Sequence, residues 1–274
     1  MVSMTDAQDD QTLPKLELTE LEGKIAELVE KQPEPERHSA RTAIHHLRRA
    51  WRIKDIDREM AFFRSLTAEE EAASAVFRSM KRLKYKGAEL LNHRSHVHKN
   101  ALVPFAHAVG KVLLLTVTHG MDPKLVIKET GPEAGKLQVR LTITLPNGEK
   151  KYAWPIPPLH YGISLNDQPH HFTAQLQELA SEGKARDALA YVKRMANRRN
   201  QVLYAHPIGI PVAQDPVDAF LQKRRQNMFM LLTIYLFIDQ YEEHQMFVQQ
   251  AIDALLALLK IVEKPSSSEG SLAG

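Results

Sequence analysis

Cysteine is absent from the 274 residues, which excludes a disulfide framework and every zinc or iron–sulfur site built on thiolates. Nothing points to an oxidising compartment, so the cytoplasm is the expected location. Met1 to Asp10 carries three Asp residues and has neither a basic flank nor an apolar core, so no secretory or transit signal is read there. Long apolar runs are missing as well. The longest, Met228 to Ile238, is broken only by Thr233 and ends after eleven residues, well short of the roughly 20 that cross a bilayer. It reads as a helix buried on nearly all sides, and no membrane partner is expected. Glycines 120, 131, 135 and 148 occur singly, so neither a Gly-rich phosphate loop nor a nucleophile elbow is present.

What is present is charge, distributed unevenly. Residues 1–36 hold ten Asp/Glu against three Lys/Arg, whereas residues 37–99 hold fifteen Lys/Arg against seven Asp/Glu. A net −7 arm thus precedes a net +8 block. The pattern reads either as solvated helix faces or as an acidic arm that lies over the basic surface until a polyanion displaces it. In the second reading, removing the arm tightens RNA binding; in the first, Leu18, Leu21, Ile25 and Leu28 pack as a structural helix.

Apolar periodicity predicts a mainly α protein. A short helix spans Leu16 to Glu30 and stops at the Pro-rich segment 31–35. Long helices follow over 37–53 and 57–84, the second divisible in two because Thr67 and Glu70 fit a capping box. Another runs from Ala101 to Val117. Residues 137–145 then alternate apolar and polar, the period of a half-buried strand, and Pro146-Asn147-Gly148-Glu149 turns the chain into a partner strand at 151–154. Leu125 to Lys128 is the candidate third strand. Helices resume over 172–181, 184–205, 216–241 and 243–263, and the Ser/Gly-rich residues 265–274 are expected to be a disordered tail. The expected organisation is an acidic arm and helix (1–36), a first helical part (37–119), a β insert (120–169) and a second helical part (170–264).

Chemistry concentrates at the end of the 184–205 helix. Arg199 and His206 are seven residues apart, almost two full turns, and so share a face. Pro207 disfavours helical geometry at His206. The imidazole therefore falls at the helix C-terminus, where unpaired carbonyls and the helix dipole favour its charged form. A histidine poised near neutrality beside a permanent guanidinium is an acid/base and anion-stabilising pair. The alternative is a surface salt bridge at Arg199 and a capped helix end at His206. Lys193, Arg194 and Arg198 on the same basic helix are candidate RNA contacts. Glu70, in the run Glu69 to Glu71, is either part of a solvated turn or a carboxylate that orients His206 across the bundle.

At Arg199, the polar Asn200 and His206, with six residues between Arg and His, the sequence resembles the HEPN family, helical domains many of which are metal-independent ribonucleases. The resemblance covers residues 37–119 and 172–264 and leaves the β insert outside. It implies an antiparallel HEPN-like bundle and an endoribonuclease needing no metal or other cofactor. It further implies that His206 takes the proton of an RNA 2′-hydroxyl, Arg199 stabilises the phosphorane and Asn200 orients the phosphate. A toxin or antiviral effector, a homodimer joined through the face bearing Val192 and Val202, and an antitoxin or inhibitor partner follow from the same resemblance. One departure is Ile208, where a family subset carries Tyr, so that subset's regulation is not indicated. The competing reading is a non-catalytic helical module that binds RNA or protein through its basic block.

Other histidines point away from metal. His98 lies about 140° around a helix from His93, and Arg94 and Lys99 repel a cation. The adjacent pairs His45-His46 and His170-His171 diverge and read as surface or loop residues.

Overall fold

The computed structural model describes residues 14–114, 121–159, 164–165, 168–169, 173–178, 186–195 and 216–263. Within them the chain is mainly helical with a small three-stranded antiparallel sheet. The helices are α1 (Glu20–Glu30), α2 (Glu36–Ile53), α3 (Arg58–Arg82), α4 (His96–Val112), α5 (Thr173–Glu178), α6 (186–195), α7 (Val217–Asp239) and α8 (Met246–Val262). No helix among the described residues is long and apolar enough to cross a membrane.

α1 starts at a reciprocal capping box: Glu22 N–H donates to Thr19 Oγ1 (3.3 Å) and Thr19 N–H to Glu22 Oε2 (2.8 Å). Its Ile25, Leu28 and Val29 are buried, and Arg225 of α7 donates from Nε to Glu22 Oε1 (2.7 Å). The helix α1 is therefore packed into the bundle, which favours the structural-helix reading for residues 20–30, while residues 1–13 lie outside the described residues. Deleting residues 1–35 removes three buried aliphatic side chains at roughly 1.5–3 kcal/mol each. We expect a thermal midpoint lower by at least about 10 °C and RNA affinity unchanged or worse. A truncated protein that melts like full length and binds RNA more tightly would restore the autoinhibitory reading.

α2 and α3 form a helical hairpin through the short connector 54–57. α2 buries Ala40, Ala43, Ile44, Leu47 and Ala50 and turns its basic residues outward. α3 is the central helix. Its small residues Ala61, Ala68, Ala72, Ala73 and Ala75 are fully buried, which lets α2 and α7 approach closely. Phe62 stacks on Phe220 near one end of α3 and α7, Glu69 meets Arg224 further along, and Arg82 meets Asp239 near the other end. The two helices therefore run parallel.

The long helix expected over 57–84 is present as α3, and the division allowed at Thr67 does not occur. Thr67 Oγ1 donates back to Phe63 O (2.9 Å) inside the helix and caps nothing. α4 begins at His96, earlier than the expected Ala101, because Ser95 caps it by accepting His98 N–H (3.3 Å).

The sheet has the order β1 (Met121–Ile127), β2 (Leu137–Thr144), β3 (Lys150–Ala153). β1 is longer than the expected third strand. Along β2, Leu137, Val139 and Leu141 are buried as the alternation requires, but Gln138, expected on the solvent face, is fully buried as well. Gly148, at φ +81°, closes the β2–β3 turn. Ser164–Leu165 (β4) and Gln168–Pro169 (β5) make a further antiparallel pair. The larger sheet is pinned to the end of α7, where Leu137 N–H donates to Gln240 Oε1 (3.0 Å) and the Tyr241 hydroxyl to Leu137 O (3.1 Å). Fully buried Gln245 ties the next segment, accepting Leu159 N–H (2.9 Å) while its amide donates to Phe237 O (2.7 Å). The expected tail at 265–274 lies outside the described residues.

Candidate functional site

Two polar features stand out among the described residues. The first is buried. Glu69 of α3 receives four hydrogen bonds: Tyr191 OH (3.0 Å) and Arg224 Nη1 (3.0 Å) on Oε1, and Arg224 Nη1 (2.9 Å) and Asn227 Nδ2 (2.7 Å) on Oε2. Arg224 Nη1 also donates to Tyr191 OH (2.8 Å), and His107 Nε2 lies 2.9 Å from Asn227 Oδ1. One carboxylate thus joins α3, α4, α6 and α7. Burial opposes the Arg224 charge, but Glu69 more than offsets it and the guanidinium pKa rises. Burial, then the charge of Glu69, pushes the Tyr191 phenol well above its ordinary range, so it stays protonated as the donor the network needs.

Below this network Met195 of α6 joins an apolar cluster with Phe62, Leu66 and Phe220. α6 is thereby held at both Tyr191 and Met195, and four residues after Met195 the sequence reaches Arg199.

The second feature is a cationic face on α2 and the start of α3. A shallow pocket of about 530 Å³ is lined by Arg49, Arg52, Arg64, Met60 and Asp57 among others. Asp57 uses its carboxylate to cap α3, accepting Met60 N–H (2.9 Å). His46 and His45 border the same arginines. Burial and then Arg64 hold the His46 pKa below its ordinary value near 6.5, and burial and then Arg49 do the same for His45.

The sequence-predicted residues fare differently. Arg199, Asn200, His206 and Arg198 lie outside the described residues, as does Val202. Lys193 and Arg194 are exposed on α6, with the Arg194 guanidinium 5.4 Å from the Tyr191 ring centroid. Val192 is only 5% exposed and belongs to the chain's own core; its proposed place at a dimer interface is therefore withdrawn. Glu70 is buried, against the solvated-turn reading, and is engaged by His96 Nδ1 (2.8 Å) and Lys99 Nζ (3.1 Å). The carboxylate that meets α6, through Tyr191, is Glu69.

That substitution of one neighbour for the other was foreseeable. Phe62, Leu66, Glu69, Ala73, Val76 and Met80 step by 4, 3, 4, 3, 4, and Leu221, Arg224, Met228, Leu231 and Tyr235 step by 3, 4, 3, 4. A carboxylate and a guanidinium each occupy a core position of such a seam, and two opposite charges so placed must meet or remain unpaired. Among the described residues no group of three or more His, Asp or Glu side chains could hold a metal ion. His98 is instead bound within the fold, its Nδ1 accepting Asn92 N–H (3.1 Å) and its Nε2 lying 2.7 Å from Glu263.

Compared with models of protein families, with curated proteins and with solved structures, the chain matches none of them. The fold and the two polar features define a mainly helical protein with a cationic face and a buried carboxylate–guanidinium network.

Proposed function

We propose that the protein binds RNA on the cationic face of α2 and α3 and cleaves it, without a metal, through Arg199, Asn200 and His206 in a HEPN-like bundle. The observation that carries the binding half is the arginine cluster itself. Arg49, Arg52 and Arg64 share one pocket, and Arg49 and Arg64 add to burial in lowering the pKa of the neighbouring His45 and His46. Such a surface suits a polyphosphate backbone and no neutral partner. The same end of α3 supplies Phe62 and Leu66 to the cluster that seats Met195 of α6, the helix that precedes the Arg/His segment in the sequence.

The reaction assigned to the segment is transesterification. His206 removes the proton of a 2′-hydroxyl, the alkoxide attacks the adjacent phosphorus, and the 5′-oxygen leaves with a proton. Arg199 compensates the charge on the phosphorane and Asn200 orients the phosphate. A composite site in a homodimer, an antitoxin-like inhibitor and a defence role remain part of this proposal; light scattering should return about twice the 31.1 kDa chain mass. Labelled total RNA incubated with the protein in EDTA tests the whole reading. Fragments ending in 2′,3′-cyclic phosphate support it, whereas RNA that is bound and left intact selects the non-catalytic module.

Acidity separates binding from stability. His45 and His46 have folded pKa values below their unfolded ones, so on acidification the unfolded chain takes up protons first. The stability they contribute is complete above about pH 6.5 and is lost as pH falls through the depressed values. Phosphate placed beside them favours the charged imidazoles. From about pH 7.5 to 5.5 the melting temperature should fall while RNA affinity, read by fluorescence anisotropy, rises several-fold. Affinity that stays level over this range removes the two histidines from the interface.

A further inference from the structure

We propose that the outer face of the three-stranded sheet is a stacking platform for unpaired bases of single-stranded RNA, with Tyr152 and Trp154 as its two rings; this rests on the reading that the protein binds RNA. The pleat divides the sheet. Odd-numbered Leu125, Ile127, Leu137, Val139, Leu141 and Ala153 belong to the core or pack against it, so the even-numbered residues point the other way. Register aligns Asp122, Thr142 and Tyr152 in one row across the strands, and Lys124 with Arg140 in the next. Gln138 is buried at one end of this face. At the other end Tyr152 is 48% and Trp154 40% exposed, and their ring centroids are 6.0 Å apart.

Charge beside the rings identifies the partner. The Arg140 guanidinium lies over the Tyr152 ring, 5.3 Å from its centroid, and Lys128 Nζ over the Trp154 ring at 5.2 Å. A cation on one face of a ring leaves the opposite face for a base. The three strands carry Lys124, Arg140, Lys150 and Lys151 against one acid, Asp122, whose carboxylate lies 3.3 Å from Lys124. A nucleotide uses both elements together, because one sugar joins its flat base to its negative phosphate. A neutral sugar would stack and leave the cations unused, and an acidic peptide would meet the cations and leave the rings in water. An apolar protein surface would have to desolvate the lysines. In a duplex the base faces are already stacked on one another, so the rings select unpaired RNA. The arginines of α2 and α3 answer phosphate charge in either form; the platform adds the preference for a single strand.

The test uses full-length protein carrying Trp51→Phe, which leaves Trp154 as the sole tryptophan, and a 2′-O-methyl uridine octamer, which offers unpaired bases and no nucleophile for cleavage. Saturable quenching of Trp154 fluorescence is expected. An abasic octamer of equal charge and a blunt RNA duplex should leave that fluorescence unchanged. In the otherwise wild-type chain, Tyr152→Ala with Trp154→Ala should bind the fluorescein-labelled octamer at least about ten-fold more weakly by anisotropy. Tyr152→Phe with Trp154→Phe keeps the ring faces and should bind within about three-fold of wild type. Both pairs should melt like wild type, because exposed side chains contribute little to stability. The platform is overturned if the octamer binds without quenching Trp154, if the abasic octamer quenches equally, if the alanine pair binds like wild type, or if the phenylalanine pair binds as weakly as the alanine pair. Self-association that is lost in the alanine pair, with no quenching by the octamer, would assign the face to a second copy of the chain instead. Full binding by the alanine pair removes the platform and leaves the α2–α3 face standing. Quenching that survives Arg49→Glu with Arg64→Glu, in a protein that cuts no RNA, keeps the platform and removes the proposed cleavage.

Discussion

Glu69→Ala is expected to lower stability by about 3–5 kcal/mol, a fall in melting temperature on the order of 10 °C for a chain of this size. The reason is the state left behind. Glu69 is 2% exposed and Arg224 5% exposed, so removing the carboxylate strands a guanidinium in the interior together with the Tyr191 hydroxyl and the Asn227 amide. Arg224→Ala should cost a similar amount for the mirror-image reason. Replacing both at once, Glu69→Leu with Arg224→Met, removes the charges together and should recover most of the loss, because apolar side chains of similar volume need no compensation there. Thermal melts of Glu69→Leu, Arg224→Met and the double variant form the double-mutant cycle that isolates the pair. Single variants that melt within about 2 °C of wild type would mean that the pair carries no such weight. Because Tyr191 is how the network grips α6, the single variants should also reduce RNA cleavage beyond what unfolding at the assay temperature explains.

The other large effect is on catalysis. His206→Ala or Arg199→Ala should lower cleavage by at least about 10²–10³-fold, the scale of losing a general base or a charge stabiliser. The circular-dichroism signal and RNA binding should persist, since phosphate contact is assigned to Arg49, Arg52 and Arg64. Conversely, Arg49→Glu with Arg64→Glu should abolish binding at moderate salt while leaving His206 chemistry available at high RNA concentration. A substrate with a 2′-deoxy residue at the cleavage position should remain whole. Equal cleavage by wild type and both single variants would remove the segment from the mechanism and leave the cationic face as a binding surface only.

Much of this architecture was legible before any coordinates. The capping residues Thr19, Asp57 and Ser95 are types that accept backbone N–H groups, and each does so, although the expected starts at Leu16 and Ala101 passed over Thr19 and Ser95. The alternation of residues 137–145 and the Asn147-Gly148 turn specify a hairpin through local sterics alone, and β2 and β3 pair antiparallel about it. Thr67 misled because a capping box can be satisfied two ways: in an uninterrupted helix its hydroxyl bonds the carbonyl four residues back instead. Glu69 and Glu70 misled because three consecutive acids look like a solvated turn, although the seam of Phe62, Leu66, Ala73 and Val76 places Glu69 inward.

The amino-acid sequence by itself determined the kinds of element, the face each one buries and the segregation of acid from base. Those properties depend on neighbours within a few residues, through backbone sterics, caps and the 3.6- or 2-residue period. Only the tertiary structure decided which charge answers which. Glu69 and Arg224 are 155 residues apart; the local seam turns Glu69 inward, but nothing local says that Arg224 is the charge it meets. The parallel course of α3 and α7 turns Glu69 toward Arg224 and Tyr191, while Glu70, one residue and about 100° further round the helix, faces His96 and Lys99 of α4.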